Sequence, residues 1–241
     1  MVHLGSMPIY ALNEEPVFLD PEEAEADGLL AVGGDLSPPR VLAAYALGIF
    51  PWPISNMPLT WFAPPRRMIL RFADIRVSRS LRQTIRRGGF RLSMDEAFDD
   101  VVRACAGAPR GDAGTWITSE MQAAYAEIHE LGLAHSVEVW RNDELVGGLY
   151  GISIGTMFCG ESMFHRESNA SKVAFVTLAR QLERWEFDFL DCQLHTPHLA
   201  SLGAAEIPRA EFSELLRAAV WRTTRRGKWR LELGCEDLVG H

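Results

Sequence analysis

The sequence predicts an α+β fold organised around a mainly antiparallel sheet. Short alternating segments over 136–159 are separated by turns of a few residues, which is the pattern of hairpin-connected strands. A long amphipathic helix and one further strand follow, over 174–185 and 187–194. Because 47% of the 241 residues are hydrophobic, the chain can build a substantial core. We expect a small N-terminal domain over 1–65 and a larger sheet domain over 66–241.

Turn signals dominate the N-terminal segment. Its clearest helix is predicted over 40–47, after Ser37 as cap and two prolines that suit a first helical turn. Gly48 ends this helix, and Trp52 then stands on a loop that is stiffened by a proline on either side. Residues 59–65 predict a strand and a linker, so we expect the domain boundary there.

Strands and helices alternate in the segment that follows. The apolar spacing changes between a period of two and a helical period, as expected for an α+β fold. The predicted elements are strands over 66–77 and 90–94, helices beginning at Ser78, at Asp95 as a cap and at Ser119, and a helix end followed by a strand in the basic run 222–230.

Net charge and cysteine usage limit the class of protein. There are 24 lysines and arginines against 32 aspartates and glutamates, a formal charge of -8, so a nucleic-acid partner would need a local basic patch. No signal-peptide pattern and no run of about 18 apolar residues is present, so we expect a cytoplasmic protein without a membrane partner. The cysteines form no CxxC pair, as expected in a reducing compartment. They are Cys105, Cys159, Cys192 and Cys235.

Polar residues interrupt an apolar stretch between residues 160 and 208. Asp191 and Gln193 alternate with apolar residues in a predicted strand, so their side chains should share one face. Glu161 precedes them in a segment rich in glycine. A carboxylate and an amide at the end of an apolar strand indicate hydrogen-bonding chemistry, in which we expect Asp191 to hold and polarise the Gln193 side chain. The alternative is a buried network with a purely structural role.

Standard catalytic motifs are missing from the sequence, which contains no GxxxxGK[ST], GxSxG or HExxH. His195 and His198 would need a third ligand such as Asp191 or Cys192 to bind zinc, and the proline between them opposes the helix that would align them. The cysteines have no recognisable base nearby and are expected to be small buried residues. We therefore expect neither a metal nor a bound cofactor.

Two further features suit nucleic acid. Arg79, Arg82, Arg86 and Arg87 fall in the helix predicted after Ser78. Their spacing places Arg79, Arg82 and Arg86 on one face, a positive stripe of the kind that phosphates bind. The alternative for such a stripe is an ordinary solvated face. Trp52 and Trp116 each stand on a loop, where they are either lids for the core or platforms for a flat ligand.

Several motifs occur together in an order that is specific to one family. They are GLLAVGGDLSP, YALGIFPW, TWFAPPRR, GTWIT, YAEIHELGLAHSVEVW, LVGGLYGISIG, FCGESMF, NASKVAF and DCQLHTPHLASLGAAEIPR, from about residue 28 to about residue 209. Through them the chain resembles the leucyl/phenylalanyl-tRNA–protein transferase family. FCGESMF followed by DCQ and SLGA is the most specific part. The resemblance implies a small N-terminal domain and a C-terminal domain like the GNAT acyltransferases.

The resemblance also implies a reaction. The family moves Leu or Phe, and less well Met, from aminoacyl-tRNA to the N-terminal amine of proteins that begin with Arg or Lys, which marks them for degradation by the N-end rule pathway. The partners would be leucyl-tRNA, phenylalanyl-tRNA and such acceptor proteins. No ATP, metal or cofactor is needed, because an aminoacyl ester is already activated and the enzyme has to align it with a neutral amine. Two other functions fit the same residues: transfer to acidic N-termini, and tRNA binding without catalysis.

Residue roles follow from the same resemblance. Asp191 and Gln193 would form the reaction centre, with Glu161 helping to place the acceptor amine. The other implied contacts are Trp52 and Trp116 for the 3′ adenosine, Phe158, Met163 and Leu178 for the transferred side chain, and Arg82, Arg86 and Arg87 for acceptor-stem phosphates. Thr196 stands where the family often has Asn, and Leu178 where a Phe is possible. We expect these departures to bear on one hydrogen bond and on the preference between Leu and Phe.

Overall fold

The structure, a computed structural model, describes residues 10–54, 57–108, 115–234 and 236–239. Within these ranges it has a small N-terminal sheet and a larger, sheet-rich C-terminal part, the mixed architecture that the sequence predicts. Cys235 and the start of the chain lie outside the described residues. None of the described helices combines the length and the apolar character that a membrane span requires.

The N-terminal sheet contains four short strands. They are β1 (Tyr10–Leu12), β2 (Leu29–Gly33), β3 (Phe50–Pro51) and β4 (Thr60–Phe62), in the order β1-β2-β4-β3. Helix α1 (Pro38–Ala46) connects β2 to β3 and has prolines in its first turn, as predicted. After α1, Gly48 has a φ of 79°, a conformation that favours glycine and allows the chain to turn into β3.

The larger sheet contains seven described strands. They are β5 (Arg66–Leu70), β6 (Arg91–Met94), β7 (Ala134–Arg141), β8 (Glu144–Ile154), β9 (Met157–His165), β10 (Phe189–Gln193) and β11 (Ala205–Pro208), in the order β11-β5-β10-β9-β8-β7-β6. Neighbouring strands are antiparallel except for β9 and β10, which are parallel. The sheet is therefore mainly antiparallel, as predicted.

Helices cover both faces of this sheet. They are α2 (Arg79–Arg87), α3 (Phe98–Ala106), α4 (Ser119–Glu130), α5 (Ala170–Arg184), α6 (Pro197–Ser201) and α7 (Arg209–Val220). The predicted start of α2 at Ser78 is confirmed, and Ser78 caps the helix, since its Oγ accepts a hydrogen bond from the Leu81 main-chain N–H at 3.2 Å. Helix α5 links the parallel pair β9 and β10 and is buried over most of its circumference.

Asp95 does not cap a helix, contrary to the prediction. It has a φ of 54° and is buried, and α3 begins three residues later. Its carboxylate accepts hydrogen bonds from the main-chain N–H groups of Ser136 and Trp229, at 2.8 and 2.7 Å, and lies 2.8 Å from His135 Nδ1. Asp95 thus serves β7 and the C-terminal segment instead of a helix end, a long-range arrangement that local sequence does not show.

Three predicted strand boundaries were wrong. The strand predicted over 66–77 ends at Leu70, and a short 3-10 helix (Phe72–Asp74) follows. Within the short segments predicted over 136–159, Glu144–Ile154 form the single long strand β8, which continues through Gly151. Residues 222–230 follow α7 as irregular structure, because Trp229 is drawn into the core and stacks on the His135 ring at 3.6 Å.

Two clusters of buried apolar residues form the core. One combines Tyr45 and Trp61 of the N-terminal part with Phe98, Tyr125 and other residues of the larger sheet and its helices. The other lies between the sheet and the helices α2 and α5. Residues before and after position 65 therefore share one apolar cluster, and the pocket described next lies close to both parts.

Candidate active site

A pocket of about 740 Å³ opens beside the parallel strands β9 and β10. Glu161 and Gln193 are part of its wall, and Trp52 and Trp116 stand at one side. Much of the remaining wall is apolar, including Leu149, Met163, Phe164, Phe175, Leu178, Leu190 and Leu199. A largely apolar cavity with a few convergent polar groups is typical of a ligand site.

Gln193 occupies an irregular point at the end of β10. Its φ of 60° is uncommon for a residue other than glycine, and the pairing of β10 with β5 shifts between Asp191 and Gln193. The Gln193 main-chain N–H donates to Asp191 Oδ1 at 2.9 Å, which holds this bulge. Bulges commonly redirect a side chain beside a functional site. Here the bulge places the Gln193 side chain in the pocket wall.

Asp191 forms a buried ion pair with Arg67 of β5. Arg67 Nε and Nη2 donate to Asp191 Oδ1 and Oδ2 at 2.8 and 2.7 Å, and both side chains are at most 2% exposed. The Cys159 thiol donates to Asp191 Oδ2 at 3.2 Å. Together with the Gln193 N–H, these donors give each oxygen of the Asp191 carboxylate two hydrogen bonds. The expectation that Asp191 holds the Gln193 side chain was wrong, because it binds the Gln193 main chain instead.

Glu161 is the carboxylate that holds the Gln193 side chain. Gln193 Nε2 donates to Glu161 Oε1 at 2.9 Å and to Cys159 Sγ at 3.2 Å. Tyr125 Oη donates to Glu161 Oε2 at 2.7 Å. Both Asp191 and Gln193 contact Cys159, so they lie on the same side of the strand, as predicted. Since the amide nitrogen of Gln193 is engaged, its carbonyl oxygen remains to accept a hydrogen bond.

The surroundings of Glu161 favour its neutral form. Burial raises the pKa of Glu161 to about 7, and the hydrogen bonds from Tyr125 and Tyr45 only partly oppose this rise. The hydroxyls of Tyr45 and Tyr125 are 2.9 Å apart, and both side chains are buried. Burial also raises the pKa of the Cys159 thiol well above its ordinary range, so this thiol stays neutral. Glu161 can therefore take up or release a proton near neutral pH.

Trp52 and Trp116 stack on each other. Their ring centroids are 5.2 Å apart with an angle of 20° between the planes. Trp52 lies between β3 and β4, Trp116 precedes α4, and both are half-buried and line the pocket. Both interpretations of these tryptophans, lid for the core and platform for a flat ligand, fit this arrangement, because the rings pack on the protein and also face the cavity. A flat ligand could stack on this pair without entering the core.

The predicted side-chain pocket is only partly formed by the expected residues. Met163 of β9 and Leu178 of α5 line the cavity, where Phe175 and Leu190 join them. Phe158 is completely buried behind this wall, with its ring 5.8 Å from that of Trp229. Direct contact between Phe158 and a ligand stays a prediction, and its placement allows it to support the wall from behind.

Helix α2 presents the predicted positive stripe. Arg82, Arg86 and Arg87 are exposed, and with Arg79 they surround a shallow depression. The ion pairs among the described residues leave all four of these arginines out. Helix α2 packs on α5, the helix that supplies Phe175 and Leu178 to the pocket wall.

His195 and His198 line the pocket, but neither belongs to a metal cluster. The part of the chain that the structure describes contains no group of three or more His, Cys, Asp or Glu side chains arranged to hold a metal ion. Burial lowers the pKa of His198, as do the nearby Lys172 and His165. Thr196 Oγ1 caps α6 by accepting the Leu199 main-chain N–H at 3.1 Å, so this hydroxyl has a local structural partner.

Three residues of the site escaped sequence reasoning. Arg67 follows Arg66 at the start of a predicted strand, and one of two adjacent strand arginines must face the core side. Tyr125 lies in the helix predicted to begin at Ser119, and Tyr45 lies in the helix predicted over 40–47. A tyrosine within an apolar stripe needs a partner for its hydroxyl, and that requirement was the available signal.

Two family models match the chain. One, described as leucyl/phenylalanyl-tRNA protein transferase, matches residues 69–217, and one described as the N-terminal domain of that transferase matches residues 34–65. The leucyl/phenylalanyl-tRNA–protein transferase of Anaeromyxobacter sp. (strain Fw109-5) is 54% identical over 229 residues, which are 95% of this chain and 97% of the relative. That of Desulfatibacillum aliphaticivorans is 53% identical over 228 residues, 94% of this chain and 97% of the relative.

One solved structure that aligns with the chain is much less similar. L-PGS from Bacillus licheniformis aligns with a TM-score of 0.38 and 10% sequence identity, over 66% of this chain and 54% of that chain. A likeness at this level supports no inference about fold or function.

Proposed function

The chain belongs to the leucyl/phenylalanyl-tRNA–protein transferase family and is an aminoacyltransferase, and we propose that it moves Leu or Phe, and less well Met, from aminoacyl-tRNA to protein N-termini. The observation that carries the proposal is the hydrogen bond from Gln193 Nε2 to Glu161 Oε1, in the wall of a pocket of about 740 Å³. This bond fixes an amide and a titratable carboxylate beside the space where an ester and an amine can meet.

In the proposed reaction the acceptor amine attacks the ester carbonyl carbon of the aminoacyl-tRNA. A bond forms between nitrogen and carbon, the bond to the ribose oxygen breaks, and the amine loses a proton. The Gln193 carbonyl accepts a hydrogen bond from the amine and orients it. Glu161 takes this proton and passes it to the leaving ribose oxygen, which departs as a hydroxyl, so Glu161 returns to its starting state. Because the ester is already activated, alignment supplies a large part of the rate enhancement.

Asp191 has a positioning role in this proposal. Its four hydrogen-bond donors leave it no access to the amine, but its bond to the Gln193 main-chain N–H maintains the bulge that aims the amide. The reaction centre then consists of Gln193 and Glu161 at the substrate and Asp191 behind them.

The donor tRNA would bind along the side of the molecule that carries the pocket and α2. Stacking of the terminal adenosine on Trp52 and Trp116 is worth roughly 1 to 3 kcal/mol per base. The acceptor-stem phosphates would meet Arg82, Arg86 and Arg87, which are exposed on α2.

The transferred side chain would occupy the apolar wall formed by Met163, Leu178 and their neighbours. Such a wall excludes polar side chains but separates apolar ones by only about 1 to 3 kcal/mol per methylene. Acceptance of Leu, Phe and Met follows from this limit. Phe158 would act from behind the wall.

The acceptor would begin with Arg or Lys, and its modified form would be marked for degradation by the N-end rule pathway. The described pocket wall includes the carboxylate of Glu161 but no arginine or lysine. A cationic N-terminal residue suits such a wall better than an acidic one, which supports this choice over the acidic-acceptor alternative.

A peptide assay tests the proposal. Transfer of labelled Leu or Phe from charged tRNA is measured on peptides that begin with Arg, Lys, Asp or Ala and are otherwise identical. We expect product with Arg and Lys only. Transfer to the Asp peptide would favour the acidic-acceptor alternative, and tRNA binding without any transfer would favour the non-catalytic one. If Gln193→Ala transfers as fast as the parent at saturating substrates, the proposed reaction centre is wrong.

We also propose a domain division and a cellular location for the chain. A division into a small N-terminal domain over 1–65 and a GNAT-like domain over 66–241 is supported by the boundaries of the two family models and by the mainly antiparallel sheet. A cytoplasmic location would give the enzyme access to charged tRNA.

A further inference from the structure

Arg67 packs against two aromatic rings. Its guanidinium carbon is 4.8 Å from the ring centroid of Phe50 and 4.7 Å from that of Phe212. The Arg67 side chain is 2% exposed. A buried cation without a partner would be strongly unfavourable. The guanidinium is planar, and its contacts with the two rings limit the orientations that its N–H groups can take.

Within that plane Arg67 binds two separate parts of the site. Nε and Nη2 donate to the Asp191 carboxylate at 2.8 and 2.7 Å, and Nη1 donates to the main-chain carbonyl of Gly48 at 3.1 Å. Asp191 in turn holds the Gln193 bulge. Gly48 begins the segment that runs through β3 to Trp52.

From these contacts we propose that Arg67 is a positioning residue that ties the Trp52 loop to the Gln193 bulge. This inference rests on the proposed function, which assigns adenosine binding to the Trp52 loop and orientation of the acceptor amine to Gln193. One guanidinium sets the distance between the stacking platform for the terminal adenosine and the amide that orients the acceptor amine. The ester carbonyl is attached to that adenosine, so its approach to the amine depends on this distance.

Lysine cannot replace arginine in this bridge. An ammonium can bind one carboxylate oxygen, but it lacks the planar fork that reaches both oxygens and the Gly48 carbonyl at once. Arg67→Lys keeps the charge and therefore avoids leaving Asp191 unpaired. A misplacement of about 1 Å far from the reacting atoms can lower a rate by about 100-fold.

Arg40 provides a matched control. It is also fully buried, and it also donates to main-chain carbonyls, those of Glu15 and Asn13, at 2.9 and 2.7 Å. Its carboxylate partner is Asp35 at 3.2 Å, outside the pocket wall. Arg40→Lys therefore disturbs a buried arginine without touching the bridge.

The experiment compares single-turnover transfer by the parent, Arg67→Lys and Arg40→Lys, each also in a Gln193→Ala background. We expect Arg67→Lys to lower the transfer rate about 10-fold to 100-fold at saturating substrates, and Arg40→Lys to lower the Tm with a rate within about twofold of the parent. In the Gln193→Ala background the effect of Arg67→Lys should largely disappear, because both changes act through the same amide.

Three results would overturn the inference while leaving the proposed function intact. They are a parent-like rate for Arg67→Lys, a rate loss of equal size for Arg40→Lys, and an Arg67→Lys effect of full size in the Gln193→Ala background. Failure of the parent itself to transfer Leu or Phe would refute the proposed function instead. If Arg67→Lys does not fold, Arg67→Gln combined with Asp191→Asn removes both charges together, and the same comparison of backgrounds is made with that pair.

Discussion

Glu161 changes its charge near neutral pH because burial disfavours its charged form and a second acid lies nearby. Burial is the main cause of its raised pKa of about 7, and the nearby charge of Asp191 adds to it. Asp191 instead forms a buried ion pair with Arg67. Two carboxylates of one site are thus assigned different tasks by their surroundings, the pattern expected of an acid–base centre.

The first prediction concerns transfer rate and pH. If Glu161 takes the proton, the rate at saturating substrates should rise as pH increases through about 7, where this carboxylate becomes charged. Glu161→Gln should lose this dependence together with roughly 10²-fold to 10⁴-fold of the rate. Single-turnover rates between pH 5.5 and pH 9 test this. A pH limb near 7 that persists in Glu161→Gln would assign it to another group, such as the acceptor amine.

The second prediction concerns stability and the same carboxylate. Its pKa is higher in the folded protein, about 7, than the ordinary value of 4.5, so the folded state binds the proton more tightly. The resulting stability is fully present below about pH 4.5 and is lost as pH rises through about 7. Glu161→Gln does not titrate, so its free energy of unfolding relative to the parent should increase by about 1 to 3 kcal/mol between these values. Urea unfolding at several pH values tests this, with the exposed Glu14→Gln as a control that should show no such trend.

At the scale of single elements, the end of β10 decides how the site is aimed. A regular strand would carry the Gln193 main chain along the β5 edge, whereas the bulge and its positive φ turn the residue toward β9. The left-handed conformation is tolerated best by Gly, Asn and Asp. Gln193 therefore retains a backbone geometry that its side chain does not favour, which indicates that the amide is required there.

Gln193→Asn separates the backbone requirement from the side-chain requirement. Asn suits a positive φ, so this variant should fold with a Tm at or slightly above that of the parent. Its amide is one methylene shorter and should not reach Glu161, so transfer should fall by at least about 10-fold. Thermal unfolding and transfer rate are measured together. A variant as active as the parent would show that the bond between residues 193 and 161 is dispensable.

The positive stripe of α2 gives a prediction about salt. Arg82→Glu together with Arg86→Glu should weaken tRNA binding and reduce the slope of log affinity against log salt by about 1 for each lost phosphate contact. The control is Arg66→Glu together with Arg71→Glu, which makes the same change in net charge at exposed ion pairs with Glu206 and Glu211. Equal losses in both double variants would point to the overall charge of the protein rather than to α2.

Local periodicity was sufficient to predict most helices and strands. It could not predict the contacts between distant residues that complete the site. The spacing of Asp191 and Gln193 indicated a shared side, and the structure confirms it through their common contact with Cys159. The partner of each could not be predicted, because Arg67 and Glu161 are separated from them by 124 and 32 residues. Asp95 failed as a predicted cap for the same reason, since its carboxylate serves distant main-chain groups.

At the scale of the whole molecule, the site is assembled from both ends of the chain. Trp52, Tyr45 and Gly48 come from the N-terminal part, and Asp191, Gln193 and Glu161 come from the larger sheet. Phe212 of α7 contributes one of the two rings that pack against Arg67. A site of this composition exists only when the two parts are packed together, and the shared apolar cluster holds them in that arrangement.

The last prediction follows from that shared cluster. Ile49 precedes residue 65 in the sequence and Ile128 follows it, and both are completely buried in the same cluster. Because one core serves both parts, the protein should unfold in a single transition, with calorimetric and van't Hoff enthalpies that agree. Ile49→Ala and Ile128→Ala should each lower the free energy of unfolding by about 2 to 5 kcal/mol and move that single transition as a whole. Calorimetry and far-ultraviolet circular dichroism measure both effects. Two separate transitions, of which Ile49→Ala moves only one, would instead show that the N-terminal part folds as an independent unit and docks afterwards.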